Sequence, residues 1–164
     1  MLWHHLDMRK AVARRVTVPN PTAGSTARKL RERFEDVVGT RAGSEQNVVR
    51  MVESGLPLNV LDRLLERGLS KQEVFKVVIP ARTLKHRKSK RQALSKEESE
   101  RVVRAARIMA RANAVLGDDT SALAWLRSPK KRFEGRAPIE MLGTEPGGRL
   151  VEEMLIQIDQ GMFA

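Results

Sequence analysis

The sequence predicts an all-α protein, a helix-turn-helix bundle followed by a smaller helical unit. Three observations carry that prediction. Apolar residues recur at helical spacing from Ser44 onward, which is the primary signature of helices with one buried face. Ser70-Lys71-Gln72-Glu73 and Ser95-Lys96-Glu97-Glu98 both fit a capping box, in which serine accepts the N3 amide and glutamate reaches back. Gly55, Gly68, Gly117 and Gly143 stand where apolar runs stop, and the left-handed residue after a helix is least strained as glycine.

The chain begins with a basic stretch holding Arg9, Lys10, Arg14 and Arg15. Residues Thr17 to Thr26 then concentrate Pro, Gly, Asn, Ser and Thr, the composition of a linker. Behind a Ser25/Thr26 cap, Leu30, Phe34, Val37 and Val38 predict one short helix, and Gly39 and Gly43 bracket a second loose stretch. On this reading residues 1–43 form a basic, partly disordered arm, and the folded region starts near Ser44.

Val48, Val49, Met51 and Val52 predict a helix closed by Gly55. Pro57 opens another, in which Val60, Leu61, Leu64 and Leu65 make one apolar stripe before Gly68. The capping box at Ser70 starts a third helix through Val74, Phe75, Val77 and Val78. Pro80 cannot donate a backbone hydrogen bond, so that helix ends near Ile79 and a new one begins.

The new segment is the most basic in the chain. Arg82 to Arg91 reads RTLKHRKSKR, with six Lys or Arg plus His86 and no acid between Glu73 and Glu97. An isolated basic run is most often a solvated face, but such faces mix signs at i,i+4, whereas this one carries a single sign directly after a helix and a tight turn. That order is the helix-turn-helix, whose second helix enters the major groove. Arg82, Thr83, Lys85, His86, Arg87 and Lys88 are the expected DNA contacts, with Lys90 and Arg91 touching phosphate, and Leu84 alone facing the core.

The capping box at Ser95 opens a long helix carrying Val102, Val103, Ala106, Met109, Ala110, Asn113 and Leu116 up to Gly117. Asp118-Asp119-Thr120 caps the next helix, where Ala122, Leu123, Trp125 and Leu126 face inward. Acids in a first turn offset the helix dipole, which explains the aspartate pair better than a metal or catalytic site does. Pro138 starts a helix with Ile139, Met141 and Leu142. In the last segment Leu150, Val151, Met154, Leu155, Ile158 and Met162 recur at helical spacing, with Ile156 and Phe163 off the stripe. This terminal helix has apolar surface to spare and no basic residue after Arg149, which points to a protein partner. The expected division is an arm over 1–43, a DNA-binding unit over 44–95 and a second helical unit over 96–164.

Composition narrows the function classes. Thirty-one basic against twenty acidic side chains give a net charge of +11, which favours a polyanionic partner. The absence of cysteine removes thiol catalysis, disulfides and Cys-ligated zinc, and the three histidines are scattered. Without tyrosine, a phosphate-cradling glycine loop or a convergent His/Asp/Ser set, no enzyme, metal or cofactor is expected. Apolar runs fall far short of the roughly 20 residues a spanning helix needs, and the first residues lack the apolar core of a secretory signal, so a soluble, cytoplasmic protein is expected.

The run Ile79 to Asp118, followed by ALAWL (Ala122 to Leu126), APIEML (Ala137 to Leu142) and IDQGMFA (Ile158 to Ala164), resembles the Xre/MbcA/ParS family of antitoxins over residues 44–164. The resemblance implies an Xre/Cro-like helix-turn-helix that represses the antitoxin's own operon. It further implies a C-terminal domain that binds a RES-type toxin, an NAD-depleting protein similar to ADP-ribosyltransferases. Carried over by position, Arg82 to Lys88 fall on the recognition helix, and Gln157 to Ala164 on the end that reaches toward the toxin's active site. The expected mode is steric, with Met154, Ile158 and Met162 docking, Gln160, Gly161 and Phe163 nearest the substrate path, and Gln157 among the toxin-binding residues. Ala137 departs from the threonine cap common among relatives, and the resemblance is not carried onto the first 43 residues. The symmetry of most helix-turn-helix repressors adds a homodimer on two half-sites. The alternative reading is a stand-alone helix-turn-helix regulator with no toxin partner.

Overall fold

The computed structural model describes residues 21–162. Nine α-helices and one 3-10 turn, and no strand, occur among the described residues. In order they are α1 (Pro21–Val38), α2 (Glu45–Ser54), α3 (Val60–Glu66), α4 (Lys71–Val77), α5 (Ala81–Lys90), α6 (Lys96–Leu116), α7 (Asp119–Arg127), the 3-10 turn (Lys131–Phe133), α8 (Pro138–Met141) and α9 (Glu145–Asp159). The all-α class and the helix-turn-helix are as the sequence predicts.

The long helix α6 is the axis of the fold. Val102, Val103, Ala105, Ala106, Ile108, Ala110 and Ala112 are all buried, so α6 is covered on more than one side, and its alanines let neighbouring helices approach closely. A single inward stripe undercounts such a helix because it assumes one wet face. Helices α1, α2, α7 and α9 all pack on it. One continuous core runs from Phe34 through Leu64 and Ile79 to Leu126 and Leu155.

The N-terminal region departs from expectation. The helix begins at Pro21, inside the stretch that reads as a linker, and spans 18 residues. Proline is pre-organised for a first helical position, and each Gly, Ser or Thr costs under about 1 kcal/mol, which tertiary packing overrides. The folded region therefore begins well before Ser44: Phe34, Val37, Val38 and Ala42 are all buried. The stretch between Gly39 and Gly43 is pinned, because the Glu35 carboxylate accepts the N–H of Ala42 at 2.9 Å and of Gly43 at 3.4 Å. The first twenty residues lie outside the described residues.

Both capping boxes form. Each glutamate, however, does a second job that the local motif does not announce. Glu73 of α4 takes Arg127 of α7 at 2.7 Å, and Glu98 of α6 takes Arg87 of α5 at 2.6 Å. Glu140 of α8 accepts the Ala137 N–H at 3.1 Å and pairs with Lys76 of α4, although Ala137 has no side-chain oxygen to complete its box. Three glutamates at the third position of a helix thus tie that helix to another.

Candidate DNA-binding and partner-binding surfaces

The first surface is built on α4, the turn Val78-Ile79-Pro80 and α5. Val78 and Ile79 are almost fully buried, and Arg101 of α6 donates to the Val78 carbonyl at 3.2 Å, so the turn is fixed against α6. Pro80 starts α5 with φ −58°, and α5 buries no residue completely. Leu84 packs on the core from the side, and Thr83 and Arg87 are half-buried on the same face. Arg82, Lys85, His86, Lys88, Lys90 and Arg91 are exposed, and none has a hydrogen-bond or ion-pair partner for its side chain among the described residues.

Arg87 stands apart from that set. Its side chain is only 20% exposed, its guanidinium pairs with Glu98, itself 8% exposed, and Nη1 donates to the Ala93 carbonyl at 3.2 Å. At i+5 from Arg82 it falls on the inward side of the helix. Arg87 holds α5 to α6, and the outward stripe is Arg82, Lys85, His86 and Ser89.

Arg91 is the residue that sequence reasoning undervalued. It takes φ +52°, a left-handed conformation that costs a non-glycine residue about 1 kcal/mol. Its N–H donates to the Lys88 carbonyl at 3.2 Å, and that of Gln92 to the Arg87 carbonyl at 3.0 Å, which is a Schellman cap.

The second surface concerns α9. Thr144 caps it by accepting the Gly147 N–H at 3.2 Å. Gly147 is required there: a Cβ would lie 2.1 Å from the Met141 carbonyl oxygen, so α9 starts in backbone contact with α8. The inward face is Gly147, Val151, Met154, Leu155 and, in part, Ile158. Two sequence expectations fail here. Met154 is 9% exposed and packs into the protein's own core, so it is not available for docking. Leu150 is 40% exposed, because the stripe runs at 151, 154, 155 and 158, leaving residue 150 about 100° from its centre.

The far end of α9 is exposed from Asp159 through Met162. Gln157 accepts from Arg132 at 2.5 Å, and Arg132 also lies 3.9 Å from Glu153. Gly161 takes φ +67° in a second Schellman cap, with its N–H on the Ile158 carbonyl and that of Met162 on the Gln157 carbonyl, each at 3.0 Å. Among the described residues, its chain neighbours and own helix aside, no atom lies within 4 Å of where its Cβ would be, so within this chain Gly161 serves the turn. The turn ends the helix before residue 162 can join the inward stripe, and Met162 is 61% exposed. Gln160 is also exposed, and Phe163 lies outside the described residues.

The electrostatics are those of cross-ties. The hydrogen bond from Arg127 holds the Glu73 carboxyl below its ordinary value, and the one from Lys76 does the same for Glu140. Asp118 is lowered by the Ser121 N–H that it caps. Asp119 accepts Arg33 of α1 at 2.9 Å and Asn113 of α6 at 2.5 Å, which accounts for the aspartate pair without a metal. Among the described residues no group of His, Cys, Asp or Glu could hold a metal ion, and no helix is long and apolar enough to cross a membrane.

Comparison with known proteins divides the chain at the same long helix. Residues 48–107 match an antitoxin Xre-like helix-turn-helix domain, and residues 111–161 an antitoxin Xre/MbcA/ParS C-terminal toxin-binding domain. The chain is 41% identical over 118 residues to an antitoxin Xre of Pseudomonas putida, covering 72% of this chain and 74% of that protein. It is 30% identical over 149 residues to an antitoxin Xre of Yersinia enterocolitica, covering 88% and 97%. A third similar protein, an antitoxin Xre of Photorhabdus laumondii, is 26% identical over 130 residues, covering 77% of this chain and 88% of the relative.

Proposed function

The chain belongs to the Xre/MbcA/ParS family of antitoxins, and on that footing we propose that it silences a cognate RES-type, NAD-depleting toxin and represses its own operon. The observation that carries the DNA half is α5 with its C-cap: no fully buried residue and six exposed basic side chains without partners among the described residues, held at the inner edge by one ion pair. Arg82, Lys85 and His86 read the major groove, Thr83 supports them from the half-buried edge, and Lys88, Lys90 and Arg91 meet phosphates. A homodimer places two such helices on two half-sites. The division of labour we propose gives base recognition to residues 44–95 and the toxin to residues 96–164, with α1 of the N-terminal arm bracing both through α6.

The toxin half rests on the toxin-binding domain match over 111–161 and on the exposed end of α9. Inhibition needs no chemistry from this chain. A cleft that admits a dinucleotide is closed when Gln160, Gly161, Met162 and Phe163 stand in its entrance, while Gln157 and Ile158 support them from the last turn. The protein acts as a cytoplasmic binding protein without enzymatic activity of its own. Co-expression with the neighbouring reading frame tests this: the two proteins co-purify, and deleting residues 158–164 releases NAD loss. Sustained NAD in cells carrying the toxin and the truncated chain refutes the placement.

A further inference from the structure

The segment Lys130-Lys131-Arg132-Phe133-Glu134-Gly135-Arg136 carries four cations and one acid between α7 and α8. Both of its stems are anchored on α4. Before it, Arg127 donates to Glu73 at 2.7 and 2.9 Å and to the Gly68 carbonyl at 2.8 Å. After it, Glu140 pairs with Lys76, and Ala137 and Ile139 share a cleft with Ser70 and Gln72 at the start of α4.

The segment is a rigid knuckle. Phe133 is buried at 2%, and the N–H groups of Gly135 and Lys130 close the loop on the carbonyls of Lys130 and Arg136, each at 3.0 Å. Two cations are committed within the fold: Lys130 lies over the Trp125 ring at 5.2 Å, and Arg132 turns to Gln157 and Glu153 of α9. Lys131 and Arg136 are exposed, and among the described residues neither side chain has an ion pair or hydrogen bond, although the Arg136 charge helps to lower the Glu140 carboxyl. With Phe133 buried, the knuckle offers charge to a partner and no apolar anchor.

In a helix-turn-helix the first helix crosses the sugar–phosphate backbone while the second lies in the groove. Here the first helix is α4, and the knuckle hangs on it through Glu73 and Lys76. We infer that residues 130–136 form a second DNA-backbone contact, in which Lys131 and Arg136 of the toxin-binding half neutralise phosphates beside the site read by α5. The inference rests on the DNA reading of α5.

The test is the salt dependence of binding by the full chain to a short mixed-sequence duplex. Lys131→Ala/Arg136→Ala makes the plot of log affinity against log salt shallower by about 2, since each phosphate contact contributes about 0.9. Discrimination of the chain's own promoter fragment from the mixed duplex is unchanged. Lys29→Ala/Arg31→Ala removes the same charge from exposed positions on α1 and leaves the slope as it was. An unaltered slope in the first variant, or an equal loss in the second, overturns the inference, as does loss of toxin co-purification with the slope intact. Arg82→Ala/Lys85→Ala is the separate arm: if promoter discrimination survives it, the reading of α5 itself is at fault.

Discussion

Helices α5 and α9 both invite a functional reading from their sequences, one for excess charge and the other for excess apolar surface, and they fold in opposite ways. In α5 the excess is real: no residue is fully buried, and all its cations but Arg87 face solvent with no partner among the described residues. In α9 most of the excess is consumed by the protein itself, since Val151 and Leu155 are fully buried and Met154 nearly so. An apolar stripe in register with the helix is used first by the protein's own core. What remains exposed is whatever the register leaves out, here Leu150 at the edge of the stripe and, among the described residues, Met162 beyond the Gly161 turn.

The contrast can be broken most forcefully at Leu155. Leu155→Ala should lower unfolding stability by about 3 kcal/mol, as for a large-to-small change at a fully buried site, whereas Leu150→Ala should stay within about 0.5 kcal/mol. Equal costs in urea titrations would mean that α9 is not docked as described. Next in size is Glu98→Gln, which keeps an acceptor for the Ser95 amide but leaves the half-buried Arg87 cation unpaired. A loss of about 2 kcal/mol is expected, and operator affinity should fall with it because α5 loses its tie to α6.

Arg91→Gly sharpens the comparison from the other side. Relieving the left-handed strain should raise stability by about 1 kcal/mol, while losing the guanidinium should weaken DNA binding and lower its salt slope by about 1. A stabilised variant with undiminished affinity would show that the arginine is merely tolerated there.

The smallest effect is in the pH dependence. Glu73 has a folded pKa below its ordinary value of 4.5, so its pairing with Arg127 stabilises the fold fully above that value and is lost as pH falls through the lower folded pKa. Glu73→Gln should therefore flatten the acid limb of the stability curve below pH 4.5, and an unchanged limb would assign acid unfolding to other carboxylates.

Local signals made most of the fold legible. Ser70, Ser95 and Asp118 cap α4, α6 and α7 as their sequences announce, and Gly55, Gly68 and Gly117 follow α2, α3 and α6 with positive φ. The basic helix and its turn were equally readable, because Pro80 and the absence of acids are local facts. The second partners of Glu73, Glu98 and Glu140 were not, since each arrives from another helix, 54, 11 or 64 residues away. The same blindness hid the role of Arg87, whose inward turn follows from helix phase together with a buried glutamate. Helix α1 was underestimated because its Gly, Ser and Thr argue locally for a linker, while the burial of Phe34 and Val37 comes with packing of α1 on α6 and α3, distant in sequence.

The central claim is that DNA and toxin are held by separate surfaces on one continuous core. The direct measurement is promoter binding and toxin co-purification on the same pair of variants, Arg82→Ala/Lys85→Ala and Met162→Asp/Phe163→Asp. The account predicts a double dissociation: the first variant loses the promoter and keeps the toxin, and the second does the reverse. Loss of both activities in either variant, with the fold intact by circular dichroism, would contradict it.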